Sequence, residues 1–286
     1  MILASQMSNA RTRNNERQLE RELSIFFSQL NGKVQSNLQE YWNDNLLTGQ
    51  VDLILQPITE AHAEYYHILQ RYIKREYKLG QEEATRLVKL TNKDYVFKAF
   101  KPRLNKRYNL FGTLRGAEDD LLERVFEASA ATLARVKSSI NLILTEGYKS
   151  GKGINFVANE LTRRFDQLTS WEAKRIARTE IHNSHNTAVV DTYQELNIEY
   201  TMWITARDDR VRGLKPTDTA DHVELDGEII RLGDTYSNGL KYPGDTDGPI
   251  EEWINCRCAN APYNMPYGYT APPMEQFHES DLIKIR

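Results

Sequence analysis

The sequence predicts an α+β protein: a helix-rich N-terminal part, a smaller mixed α/β domain and an extended C-terminal tail. Three observations support this class. Apolar residues recur at helical spacing through the first half of the chain, and β-branched and aromatic residues alternate from Tyr200. Proline and tyrosine are concentrated between Ala261 and Pro273, which favours extended structure. We place the boundaries at residues 1–147, 148–260 and 261–286.

The first helix is predicted from apolar residues three or four positions apart, which share one helical face. They are Leu19, Leu23, Phe27, Leu30, Val34, Leu38 and Trp42. A second helix is expected over residues 58–77, with Pro57 at its start and Gly80 as its end. A third, shorter helix is expected over residues 81–90.

Another strong helical pattern follows the irregular segment 92–116. Acidic residues 118–120 favour a helix start because the helix dipole attracts negative charge there, and Gly147 is the predicted end. The buried face is predicted to hold Leu122, Val125, Phe126, Leu133, Val136, Ile140, Ile143 and Leu144.

The second half begins with two further helices and then changes character. A short helix carrying Phe156 and Phe165 precedes a longer one that Ser170 is expected to cap and that runs to about Leu196. A strand is predicted over residues 200–205. Residues 225–230 are expected to contain an Asp-Gly turn and, beside it, a second strand that ends at residue 230.

The formal charge of −3 hides an uneven distribution along the chain. Residues 71–116 hold 13 Lys and Arg against four Asp and Glu, whereas residues 201–260 hold seven against 12. No apolar run is long enough to cross a membrane, so we expect no membrane partner. The two neighbouring cysteines predict no disulfide framework, which favours synthesis in a reducing cytoplasm.

The basic middle segment has two interpretations. Its cations alternate with aromatic residues such as Tyr72, Tyr77 and Phe97, a pattern that suits contact with phosphates and bases of DNA. Alternatively, the aromatic residues are core and the cations are its solvated rim. The candidate nucleic-acid-binding residues are Arg71, Lys74, Arg75, Lys98, Lys101, Arg103, Lys106 and Arg107.

The most specific signal is a set of short motifs in a fixed order. Arg178 and Glu180 lie on a predicted helix, Trp203 on a predicted strand, and Asp208, Arg210 and Arg212 in the loop that follows; then come His222, Asp226 and Gly227, and finally Asn255, Cys256, Arg257 and Cys258. Together, over about residues 176–260, these motifs resemble the phage Mu F-like family of minor head proteins, the head-morphogenesis domain of many tailed phages.

The resemblance implies a non-enzymatic minor head protein located inside the virion head near the portal and made in the host cytoplasm. It implies the portal protein as a partner, with genomic double-stranded DNA and a capsid or scaffold protein as further candidates. Its roles would be head assembly, DNA packaging or DNA ejection.

A metal site is a separate question, because many relatives carry a second cysteine pair where this chain has Gly213-Leu214-Lys215-Pro216. The chain's own His222, Cys256 and Cys258 are a ligand set that zinc prefers, so a structural zinc site is one interpretation. The other is that the cysteines are small buried groups beside a turn and that the protein has no cofactor.

An enzymatic alternative comes from His182-Asn183-Ser184-His185-Asn186, which superficially resembles the histidine motif of metal-dependent nucleases. Nucleases of that kind hold their histidine on a hairpin that leads to a helix, whereas both histidines here fall in the middle of a predicted helix. A nuclease, or another hydrolase acting on nucleic acid, is therefore the alternative function.

Overall fold

A computed structural model describes residues 10–42, 48–91 and 114–285. The described residues form two compact units, each built from separated stretches of sequence. The helical unit comprises residues 16–42, 48–72 and 120–177. The sheet unit comprises residues 10–15, 73–91, 114–119 and 178–285. The predicted α+β class is confirmed.

The elements follow one another in a simple order. The helices are α1 (Ala10–Tyr41), α2 (Thr48–Glu60), α3 (His62–Thr91), α4 (Leu114–Lys149), α5 (Ile154–Gln167), α6 (Ala173–Glu195) and α7 (Ile250–Trp253), with a π-helical turn at Leu168–Glu172 and a 3₁₀ turn at Glu279–Asp281. The strands are β1 (Tyr200–Ile204), β2 (Ile229–Arg231), β3 (Ala259–Tyr263), β4 (Tyr269–Thr270), β5 (Gln276–Phe277) and β6 (Ile283–Lys284). No helix among the described residues is long and apolar enough to span a membrane.

The helical unit is held together by the apolar faces that the spacing predicts. All the residues predicted on the buried face of α1 are buried except Trp42, which is half-buried. On α4 the prediction is wrong for Phe126, which is 47% exposed and contacts the rings of His62 and Tyr66 by its edge. Ile143 is half-buried.

Pro57 lies inside α2 rather than at the start of the next helix, so that prediction is wrong. A proline in a helix leaves the carbonyl four residues earlier without its N–H partner. Here that carbonyl belongs to Leu53, and the Asn37 side-chain amide donates a 2.7 Å hydrogen bond to it. The helix tolerates the proline because the lost bond is replaced from α1.

Gly80 does not end a helix, because α3 continues through it to Thr91. A β-carbon at this position would lie 2.6 Å from the carbonyl oxygen of His185 and 2.8 Å from the Ala188 side chain, both on α6. The glycine therefore permits α3 and α6 to approach closely within the sheet unit. The predicted third helix over residues 81–90 is the end of α3.

Two other predicted boundaries are also displaced. The helix α4 passes Gly147 and ends at Lys149, and the left-handed residue that follows is Gly151, with φ of 61°. Ser170 caps nothing, because it lies within the π-helical turn that joins α5 to α6 without a break. No proline or glycine separates these two helices, so the chain inserts a wider turn instead of ending.

The four-stranded antiparallel sheet has the order β3-β1-β2-β5, with β1 in its interior. The register pairs Thr201 with Ile230 on one side and Met202 with Ala261 on the other. The predicted strand at residues 200–205 is confirmed, and the second strand begins at Ile229, just after the Asp-Gly turn. The proline-rich tail is extended, as expected, and contributes β5 to this sheet, while β4 pairs with β6.

Candidate functional site

The motif residues gather around the end of β1 in the sheet unit. Trp203 is fully buried there, and its ring meets the rings of His222 and Tyr236 edge to face, at centroid distances of 5.4 and 5.1 Å. Cys256 and Cys258 belong to the same buried cluster. Trp203 is therefore the packing centre of the site.

Asp208 and Arg257 join the loop after β1 to the Cys-x-Cys segment. The two guanidinium nitrogens of Arg257 donate to the two carboxylate oxygens of Asp208, at 2.6 and 2.7 Å. Arg210 donates to the same carboxylate at 2.9 Å. These bonds, with that of Arg257 the strongest, hold the pKa of Asp208 far below its ordinary value. Two-point pairs of this kind fix orientation as well as distance.

Arg212 and Asp226 bind backbone groups. The Arg212 guanidinium donates to the carbonyl oxygens of Glu252 and Ile254, and so anchors the segment before Cys256. Asp226 accepts a 2.9 Å hydrogen bond from the Thr205 backbone N–H. Gly227, at φ of 92°, donates its N–H to the Trp203 carbonyl oxygen. The predicted motif residues thus serve to shape the loops.

The helix α6 contacts the Cys-x-Cys segment through its polar residues. Arg178 donates to the Asn255 side chain at 3.1 Å, and the Thr179 hydroxyl accepts the Asn255 backbone N–H at 2.9 Å. Asn186 donates to the Cys258 carbonyl oxygen at 3.0 Å. Asn255 itself has a φ of 56°, a left-handed conformation that asparagine tolerates better than most residues. Glu180 is buried on the same helix.

His222, Cys256 and Cys258 converge, as the metal interpretation requires. Their nitrogen and sulfur atoms all lie within 4.8 Å of one another, and each residue is at most 5% exposed. The His222 Nδ1 atom is 3.7 Å from the Cys256 sulfur and 3.4 Å from the Cys258 sulfur. On the opposite side of the ring, Nε2 is 3.1 Å from a carboxylate oxygen of Glu252.

The three groups perturb one another electrostatically. The neighbouring Cys258 lowers the pKa of the Cys256 thiol, with a further contribution from His222 and against the effect of burial. Cys256 and burial together raise the pKa of Cys258. Burial lowers the pKa of His222, but Cys256 and Glu252 outweigh it and leave that pKa raised. This small buried cluster therefore favours a thiolate on Cys256 and a protonated thiol on Cys258.

His182 and His185 do not join this cluster. The His185 Nδ1 atom lies 2.9 Å from the Glu76 carboxylate, which is buried on α3 and also accepts hydrogen bonds from Thr12 and Asn15. Glu76 was missed in the sequence, although an acidic residue on the otherwise apolar face of α3 is a signal. Glu252 was missed too, because only the fold brings it to His222.

The candidate nucleic-acid residues lie only partly within the described chain. Arg71, Lys74 and Arg75 are exposed on α3, and Arg71 forms an ion pair with Glu22 in the helical unit. Tyr72 and Tyr77 are buried, so these two rings are core and cannot stack on bases. The other five cations lie outside the described residues: Lys98, Lys101, Arg103, Lys106 and Arg107.

Comparison with known proteins identifies the region that contains this site. A family model described as phage Mu protein F like protein matches residues 138–261, somewhat under half of the chain. The match includes every motif residue from Arg178 to Cys258. Neither the curated proteins nor the solved structures include a match. The resemblance inferred from the ordered motifs is confirmed: the chain carries a phage Mu F-like head-morphogenesis domain.

Proposed function

We propose that this chain is a non-enzymatic minor head protein of a tailed phage, located in the virion near the portal. It would act in head assembly, DNA packaging or DNA ejection. The observation that carries the proposal is the family match over residues 138–261, because that region contains the whole bonded set of motif residues. A capsid or scaffold protein is a further candidate partner.

The chemistry of the motif residues supports recognition by shape rather than catalysis. Asp208 is occupied by Arg257, and Arg212 is occupied by two backbone carbonyl groups. Side chains used in this way hold loops in place and are not available to transfer protons or attack a substrate. The domain would present a rigid surface to its partner.

The acidic surface of this domain supports a basic patch on the portal as the partner. Asp209 and Asp247 have side chains that are 94% and 78% exposed, and Glu224 and Glu251 are exposed as well. Complementary charge increases the association rate and helps to select the partner, and salt weakens this attraction by screening the charges.

Co-purification with the portal ring of the same phage tests this proposal. The full chain should sediment with the ring, and the combined variant Asp209→Asn, Glu224→Gln and Glu251→Gln should bind roughly tenfold more weakly at low salt. The matched control is Glu123→Gln, Glu127→Gln and Glu146→Gln on α4, which removes three exposed charges from the helical unit. No sedimentation of the unaltered chain, or equal loss in both variants, contradicts portal binding through the acidic surface.

Contact with double-stranded DNA is proposed for the basic segment, supported by its charge and by the exposure of Lys74 and Arg75. Since cation–phosphate contacts release counterions, retention on DNA should fall steeply as salt increases. Replacing the five cations between Lys98 and Arg107 with glutamine should flatten this salt dependence, whereas Lys215→Gln with Lys241→Gln should not. Equal retention at low and high salt, or none at low salt, counts against the proposal.

The alternative, a metal-dependent nuclease, receives no support from the histidines on α6. Neither His182 nor His185 belongs to a group of potential metal ligands among the described residues, and His185 instead faces the buried carboxylate of Glu76. A plasmid-nicking assay decides between the two functions. Metal-dependent cleavage that His182→Ala abolishes would overturn the non-enzymatic proposal.

A further inference from the structure

We propose that His222, Cys256 and Cys258 form a structural zinc site, with the imidazole Nδ1 atom and two thiolate sulfurs as ligands. The observation behind it is the convergence of these three ligand atoms in a buried cluster. It is independent of the family match, which says nothing about a metal.

The distances fit a tetrahedral zinc ion. Zinc binds thiolate sulfur at about 2.3 Å and imidazole nitrogen at about 2.0–2.1 Å, so a tetrahedral angle separates sulfur from nitrogen by about 3.6 Å. The observed separations from Nδ1 are 3.7 Å to Cys256 and 3.4 Å to Cys258. An ion bound by all three atoms would therefore need little change in the distance from Nδ1 to either sulfur.

The orientation of His222 is the one that a metal ligand needs. Its Nε2 atom faces the Glu252 carboxylate at 3.1 Å, so Nε2 would keep its proton while Nδ1 binds the metal. Glu252 is itself positioned by Asn238, which donates to it at 2.9 Å. Carboxylate support of this kind orients histidine ligands in zinc sites.

The convergence of two sulfurs on one ring nitrogen is the arrangement expected of ligands to a single ion. Both sulfurs lie near the same nitrogen atom, at 3.7 and 3.4 Å. The Trp203 indole N–H, in the same buried cluster, faces the Cys258 sulfur. A thiolate bound to zinc is a stronger acceptor than a thiol, and it would give this donor a nearby negative charge.

The donor set selects zinc over harder cations. Thiolate and imidazole suit zinc, whereas magnesium and calcium prefer oxygen ligands. Three ligands come from the described residues, and a water molecule would complete the tetrahedron. The ion would join the loop that bears His222 to the segment before β3. Zinc with three protein ligands and a water is also found in enzymes, but these ligands are buried, so we expect the role to be structural.

Metal analysis of the purified full chain tests the site. We expect about one zinc per chain after dialysis. Cys256→Ser, Cys258→Ser and His222→Ala should each lose most of it, and the control His182→Ala should retain it. Because a ligand variant can fail to fold, cobalt substitution of the unaltered chain supplies a second readout: tetrahedral cobalt with thiolate ligands gives intense visible bands and a sulfur-to-metal charge-transfer band.

Several results would overturn the site. One is the absence of zinc from the unaltered chain with both thiols free to react, and another is a Cys256–Cys258 disulfide in the mass spectrum. A cobalt spectrum without thiolate bands, or zinc retained in all three ligand variants, would overturn it as well. Portal co-purification does not depend on any of these results. The proposed function and the zinc site therefore fail independently.

Discussion

The helical unit and the motif-bearing part of the sheet unit are stabilised in different ways. In the helical unit, long helices bury continuous apolar faces such as the one on α1. Around β1, the strands are at most five residues long, and side chains such as those of Arg212 and Asp226 hold the loops by binding backbone groups. The difference teaches that the loop residues of the family motif hold the chain where regular secondary structure is short.

Replacing the packing centre of the site should have the largest effect. Trp203→Ala removes a fully buried ring that contacts His222 and Tyr236, and it should lower the free energy of unfolding by about 3–5 kcal/mol. Urea titration measures the change. The matched control is Trp171→Ala in the helical unit, which removes a half-exposed ring stacked on Arg175 and should cost about 1 kcal/mol or less. Equal losses would contradict the central role of Trp203.

Removing the buried charge on α3 should have the next largest effect. Glu76→Gln leaves His185 without its carboxylate partner, and the expected loss is about 3 kcal/mol at neutral pH. Burial raises the pKa of Glu76, but hydrogen bonds from His185, Thr12 and Asn15 outweigh it, so the net pKa lies below its ordinary value of 4.5.

The pH dependence of stability tests the same group. Because the folded pKa is depressed, the contribution of Glu76 is present above about pH 4.5 and is lost as the pH falls through the folded value. Thermal unfolding of the unaltered chain should therefore become steadily easier below that pH. The unfolding temperature of the Glu76→Gln variant should fall less steeply with decreasing pH. If the two proteins gave parallel curves of unfolding temperature against pH, Glu76 would make no such contribution.

Two glycine substitutions should have the smallest effects on the free energy of unfolding, and the two effects should have opposite signs. Gly80→Ala introduces a β-carbon against His185 and Ala188, and we expect a loss of about 1–3 kcal/mol. Gly32→Ala on α1 meets nothing within 4 Å and should gain about 0.5–1 kcal/mol from better helix propensity. Urea titration of both variants measures this. A gain in Gly80→Ala would mean that α3 and α6 are not in close contact there.

The helices could be predicted from the sequence wherever their structure depends on local spacing. The buried face of α1 follows directly from its period, and so does most of that of α4. The errors occur at residues whose role depends on distant parts of the chain. Glycine often ends a helix, but the role of Gly80 is set by His185 and Ala188 on α6, more than 100 residues later.

The residues of the site could be predicted from the sequence, but the carboxylates that contact its histidines could not. The order of the motifs identified the family, and the ligand chemistry of His222 and the two cysteines indicated that they could converge. Glu252 and Glu76 were not recognisable as partners of His222 and His185, because an acidic residue is most often a solvated surface group. Only the fold shows which carboxylates are buried against a histidine.

The discontinuous composition of the sheet unit has a consequence for the order in which the chain folds. Glu76 collects hydrogen bonds from residues 61 to 109 positions away, and the sheet is complete only when Gln276–Phe277 has been added. On the ribosome, all segments of the helical unit emerge by residue 177, whereas the sheet unit must wait for nearly the whole chain. Such long-range pairing slows folding. The sheet unit, which holds the motif residues, therefore acquires its shape last, and its surface becomes available for binding only on chains that have been translated through Phe277.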